Sequence, residues 1–193
     1  MSEISKSCSF FGHRNTDLTE NEEQKLQELI ENLILNEKVD RFLFGSRSNF
    51  DYICHKIVTD LRQKYPYIKR FAYTCRSETC TLESEREYWE EVYSHFEKRK
   101  VTLLGVEEEI ERKSKWTSGK ASYVERNYAM IDDSDFCIFY YDEAYLPKRR
   151  KNSWRDFTDY QPKSGTGLAY KYATRKRKDN KKIIVYNVCK KDN

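Results

Sequence analysis

Residues 7–35 read "SCSFFGHRNTDLTENEEQKLQELIENLIL", and the order of properties within that stretch decides the fold. The first five residues, Ser7–Phe11, have the length and β-favouring aromatics of a short buried strand. Further on, Thr19 is a good N-cap, Glu22 follows three residues later, and Leu26, Leu29, Ile30 and Leu33 recur at helical spacing. Gly12, His13 and Arg14 therefore lie in the turn between the C-terminal end of a strand and a helix. In open α/β sheets ligands bind at that edge. Glycine permits close backbone approach, histidine donates or accepts hydrogen bonds, and arginine presents a fork matched to phosphate or carboxylate. Taken alone, the three residues equally describe an ordinary surface turn with a solvated arginine.

The strand–turn–helix pattern repeats. "VDRFLFG" (Val39–Gly45) predicts a second strand, and "NFDYICHKIVTDLRQKY" a helix with Phe50, Ile53, Ile57, Val58 and Leu61 on one face. Pro66 ends that helix, and Ile68–Thr74 predicts a third strand. Residues 82–100 form a charged amphipathic pattern with Trp89, Val92, Tyr93 and Phe96 as its apolar stripe, followed by a short strand at Val101–Val106. Residues 120–134 look helical. Asp135–Glu143, "DFCIFYYDE", is almost continuously apolar, the mark of a central parallel strand covered on both faces. Residues 144–163 form a polar, basic loop or flap. A glycine-rich turn at "SGTG" then opens a helix, and Lys182–Val188 is the last strand. Strands alternating with helices imply an α/β, Rossmann-like, doubly wound and mainly parallel sheet with helices on both faces, in one domain over residues 1–193. The strand order is not written in the pattern.

The 193 residues suffice for one real core. Charged residues are abundant, yet 15 Tyr, 10 Phe and 3 Trp are too many aromatics for a disordered chain. With 36 Lys plus Arg against 32 Asp plus Glu, the net charge of +4 does not by itself imply nucleic-acid binding. "MSEISKS" lacks the apolar core of a signal peptide, and no apolar run is long enough for a membrane span. The six scattered cysteines then read as reduced, partly buried thiols of a cytoplasmic protein. Cys75 and Cys80 are the only close pair; their spacing is wider than a zinc hairpin and no second pair follows, so no metal is expected.

Four turns following strands hold the candidate chemistry. The first is Gly12-His13-Arg14. In the second, "GSRSNFD", Gly45 and Ser46 lead to Asn49 and Asp51 at a helix start, which suits an anion or a ribose, although either Asn49 or Asp51 also suits an N-cap. In the third, Asp142 and Glu143 end the apolar strand, either to bind sugar hydroxyls or as its solvated end. In the fourth, Ser164, Gly165, Thr166 and Gly167 open the last helix, as a phosphate cradle or as a common turn. Together they place polar or glycine-bearing turns on one edge of one sheet, as a nucleotide-sized ligand requires.

The blocks "SFFGHRNT", "FLFGSRSNFD", "ERNYAMIDDSDFCIFYYDE" and "SGTGLAYKYATRKRKDNKKIIVYN" resemble, in order and spacing, the SLOG superfamily. Within it they look most like a branch of small bacterial and phage proteins that begin with a Gly-His-Arg turn. The resemblance covers nearly the whole chain; residues 75–118 are least matched, as a family-specific insertion would be. It implies a Rossmann-like fold that binds nucleotides or nucleotide-derived ligands. It also implies a site walled by Gly12, His13 and Arg14, by Gly45 with Asp51, and by Ser164–Gly167, with Arg126 and Asn127 reaching in from a helix. Relatives include the LOG phosphoribohydrolases, in which a glutamate follows the glycine turn and acts with an upstream arginine. Arg126 matches that arginine. Aligning Gly-Thr on Gly165–Thr166 puts Ala169 at the glutamate. A carboxylate stabilises the cationic transition state of N-glycosidic cleavage, and alanine cannot.

The expectation is thus a nucleotide-ligand sensor or sequestering protein rather than an enzyme, needing no cofactor and compatible with a homo-oligomer. An N-glycosidase or phosphoribohydrolase is the alternative. Nucleic-acid binding through "PKRRKNSWR" and "TRKRKDNKK" is a further one, set against plain solvation of both basic runs.

Overall fold

Six strands and four helices make up the described part of the chain, which in this computed structural model comprises residues 5–14, 16–45, 48–75, 108–112, 120–147, 164–179 and 182–189. In order they are β1 (Lys6–Gly12), α1 (Glu20–Leu35), β2 (Val39–Phe44), α2 (Asn49–Lys64), β3 (Lys69–Cys75), β4 (Glu108–Arg112), α3 (Lys120–Asp132), β5 (Phe136–Tyr140), α4 (Gly165–Lys178) and β6 (Ile184–Asn187). Every strand pairing is parallel, in the order β4-β3-β2-β1-β5-β6. The chain steps outward from β1 to β4, crosses back to β5 on the other side of β1, and steps outward again to β6. The order therefore reverses between β1 and β5, the switch point at which doubly wound sheets open a crevice.

The two-residue period of the strands sorts the core into two layers. Cys8 and Phe10 of β1, Phe42 and Phe44 of β2, and Phe136 and Ile138 of β5 pack with α1 and α2. The intervening residues, Phe11, Leu43, Cys137 and Phe139, pack on the opposite face with Met130 and Ile131 of α3 and Ala169 and Ala173 of α4. Aromatic rings tie neighbouring strands together. Phe10 stacks on Phe44 at 5.1 Å between centroids, and Phe11 on Phe139 at 4.8 Å. No helix among the described residues is long and apolar enough to cross a membrane.

The elements differ from the sequence expectation at β5 and β4, and part of that expectation lies outside the described residues. The apolar run from Asp135 is a strand only over Phe136–Tyr140; Asp142 and Glu143 lie beyond it in a turn. The expected helix at 82–100 and strand at 101–106 fall outside the described residues, as does most of the loop or flap at 144–163. The fourth strand is Glu108–Arg112, "EEIER", at the sheet edge. An edge strand has only one partner and tolerates charge, so an apolar-run criterion passes over it.

Candidate functional site

The first wall is built on the end of β1. Gly12 closes the strand, and a Cβ there would fall 2.2 Å from Phe50 Cβ at the start of α2. This glycine therefore makes room for helix packing, and the space over it is already filled. The turn that follows is tied to the same helix: the Asn49 backbone N–H donates to the Arg14 carbonyl at 3.2 Å, and Asn49 Nδ2 to the Thr16 carbonyl at 2.6 Å. Thr16 Oγ1 in turn donates to the His13 carbonyl at 2.9 Å. Arg14 itself is exposed.

His13 is only 3% exposed and joins three chain segments. The Asp142 backbone N–H donates to its Nε2 at 3.1 Å, and its Nδ1 lies 3.4 Å from Ser164 Oγ. Tyr145 stacks on the imidazole at 3.9 Å between centroids, with Tyr141 at 6.0 Å and tilted. A neutral imidazole has one acceptor and one donor nitrogen. Since Nε2 accepts, the proton belongs on Nδ1, directed at the serine. Burial pushes the His13 pKa below its ordinary value, against an opposing pull from Asp142.

The third segment is the start of α4. Ser164 is its N-cap, with Oγ accepting from the Gly167 N–H at 3.2 Å. Thr166 Oγ1 donates to the Gly12 carbonyl at 2.7 Å, docking the helix start on the end of β1. A Cβ on Gly167 would meet the Tyr141 ring at 3.2 Å, whereas one on Gly165 would meet no described residue within 4 Å. Among the described residues, open space thus lies where the Gly165 and Thr166 amides begin the helix without intrahelical partners.

The second grouping stands over the end of β2. A Cβ on Gly45 would lie 2.9 Å from a terminal nitrogen of Arg126 and 3.2 Å from Asp51 Oδ2. A guanidinium from α3 on one face and a carboxylate from α2 on the other therefore meet above this glycine. Both side chains are more than nine-tenths buried. Arg126 Nη2 donates to Asn127 Oδ1 at 3.1 Å, and its guanidinium sits 5.4 Å from the Tyr123 ring centre. Asp51 Oδ2 accepts from Ser48 Oγ at 2.9 Å. The N-cap of α2 is Ser48, rather than Asn49 or Asp51, and it receives the Asp51 N–H.

The sequence-derived residues are thus sorted into different tasks. His13, Ser164, Thr166 and Asp142 come together at the switch point; Gly45, Asp51, Arg126 and Asn127 come together over β2. Asn49 braces a turn. Asp142 organises its own turn, with Oδ1 accepting from the Ala144 N–H at 2.9 Å, and Glu143 is exposed. Ser46 lies outside the described residues. Sequence reasoning passed over Tyr141 and Tyr145, whose one signal was the aromatic-rich end of an apolar strand. It also passed over Asn187, whose side chain exchanges hydrogen bonds with the Tyr141 backbone N–H and carbonyl at 3.0 and 2.9 Å. Among the described residues no group of three or more His, Cys, Asp or Glu is arranged to hold a metal ion. Comparison of the chain with family models and with curated proteins finds no match.

Proposed function

We propose that the chain binds a nucleotide-derived small molecule where β1, β2 and β5 end, as a sensor or sequestering protein of the SLOG type. The observation that carries this reading is the space over Gly165 at the switch point, which is open among the described residues. There the Gly165 and Thr166 amides and the Ser164 hydroxyl offer donors to one anionic group, and the positive end of a helix favours negative charge. Arg126 and Asp51, one strand away, supply a cation for further anionic groups and an acceptor for sugar hydroxyls. The enzymatic alternative lacks its carboxylate at Ala169, which is fully buried in the core. In the basic run of α4, Arg175, Arg177 and Lys178 are exposed in the last turn, where positive charge already complements the helix dipole.

Gly165→Ala tests this reading, because the added methyl meets no described residue of the protein and would meet a ligand bound at the start of α4. Small molecules released on denaturation of the purified wild-type protein identify the ligand, and calorimetric titration measures its affinity. The expected result is an unchanged melting temperature and an affinity at least tenfold weaker. Unchanged affinity removes the start of α4 from the site. Release of free base from nucleoside monophosphates, abolished in Asp51→Ala, makes the protein an enzyme instead.

A further inference from the structure

We propose, on the ligand reading above, that His13 is a positioning residue whose neutral form clasps the turn after β5 to the start of α4, so that ligand capture strengthens as pH rises through the histidine range. The geometry assigns both ring nitrogens to the protein. Nε2 takes the Asp142 N–H, and Nδ1–H faces Ser164 Oγ. The serine oxygen also accepts from the Gly167 N–H, so neither bond uses its own proton, which stays available to the anion. His13 therefore acts through Ser164 and contacts no ligand itself.

Protonation changes one atom. Nε2 gains a hydrogen that meets the Asp142 N–H, donor against donor, across the present 3.1 Å contact. The clasp must open, and with it the orientation of Ser164. The groups around the ring set where this occurs. The turn after β5 contributes the Asp142 carboxylate, which favours the imidazolium, and the phenols of Tyr141 and Tyr145. The first turn of α4 brings the Ser164 hydroxyl and no titratable side chain. On its own turn His13 neighbours Arg14, which is exposed; from α2, Asn49 braces that turn, while Asp51 lies over Gly45. Burial outweighs the opposing pull of Asp142, from its backbone first and its carboxylate second, and lowers the pKa of the ring, which favours its neutral form.

The direction of the pH effect separates this role from a direct one. A histidine gripping an anion binds more tightly when protonated, whereas a clasp binds more tightly when neutral. Titration of the wild type with adenosine monophosphate and with inorganic phosphate between pH 5 and 8 is expected to show affinity weakening as pH falls, by up to about tenfold per unit once one proton is taken up. His13→Gln is expected to remove the histidine's share of this dependence and leave only that of the phosphate's own second ionisation, at about pH 6 for a monoester. Affinity that rises as pH falls in the wild type, or a His13→Gln profile that matches it, overturns the proposal. The ligand-free protein gives an independent readout. In ring nitrogen NMR, His13 is expected to carry its proton on Nδ1 and to titrate below the ordinary value of about 6.5. A proton on Nε2 or a pKa at or above that value overturns the clasp even if no nucleotide binds. The expected NMR result, with neither probe binding, leaves the clasp standing and fails the ligand reading.

Discussion

Gly12 and Gly165 sit at the same edge of the sheet and do opposite things. Over Gly12 lies the Phe50 side chain, with three of its carbons within 2.8 Å of where a Cβ would stand; over Gly165 no described residue comes within 4 Å of that point. Gly12→Ala is therefore expected to cost ~1–3 kcal/mol through forced displacement of α2, as overpacking does. Phe50 is fully buried, and Phe50→Ala is expected to cost ~3–5 kcal/mol as a cavity. The double variant should lose clearly less than the sum, because the truncated side chain frees the volume that the new methyl needs. Urea unfolding of the three variants measures this, and strict additivity would mean that the two residues do not contend for space. Both glycines are legible in the sequence as turn residues. What each faces is not, because that depends on how closely a helix from elsewhere in the chain approaches.

At the scale of elements, the ends of α1 were the most legible feature. Thr19 Oγ1 accepts from the Glu22 N–H, and the Glu22 carboxylate accepts from the Thr19 N–H at 2.8 Å, closing the capping box that the sequence spells out. Thr19→Ala is expected to cost about 1 kcal/mol at neutral pH. The Glu22 pKa is held below its ordinary value, first by the bond from the Thr19 backbone and next by the bond at 2.8 Å from the Thr19 hydroxyl, which the alanine variant lacks. A carboxylate with a depressed folded pKa contributes stability above its unfolded pKa and loses it as pH falls through the folded value. The difference between wild type and Thr19→Ala should therefore shrink as pH drops below about 4. Denaturant unfolding at pH 7 and pH 3 tests the sign, and a constant difference would mean that the threonine acts without its glutamate. Such signals were readable because capping uses neighbours three residues apart. The cap of α2 is Ser48 and neither Asn49 nor Asp51, since all three are good cappers and only backbone geometry separates them. The charged strand β4 escaped notice for a related reason: its place at the edge is fixed by β3, not by its own composition.

For the whole molecule, the pattern of strands and helices is enough for a parallel sheet covered on both faces, but not for the order of the strands. Order is a property of long-range pairing. β1 lies between β2 and β5, although more than 90 residues separate β2 from β5 in the chain. That reversal brings the turn after β1 against the turn after β5 and the start of α4, and hence puts His13, Asp142 and Ser164 in one place. The same arrangement makes the two core layers depend on each other, because β1 and β5 supply residues to both. Cys8 and Cys54 are fully buried between the sheet and α1 and α2, and Cys137 is fully buried on the α3 and α4 face. Ser9 Oγ lies 3.4 Å from Cys137 Sγ, linking the two central strands. Burial pushes the Cys137 thiol up to about 12 and the Cys8 and Cys54 thiols well above their ordinary value, so native-state alkylation of all three should be slow. Cys189, which is only partly buried, should react before these three. If the sheet opens as one unit, Cys8, Cys54 and Cys137 should become reactive with a single midpoint in denaturant. Peptide-level mass spectrometry after pulsed alkylation resolves the sites. A Cys137 midpoint separated from those of Cys8 and Cys54 would show instead that the α3 and α4 layer unfolds on its own, leaving half the candidate site attached to a sheet that persists without it.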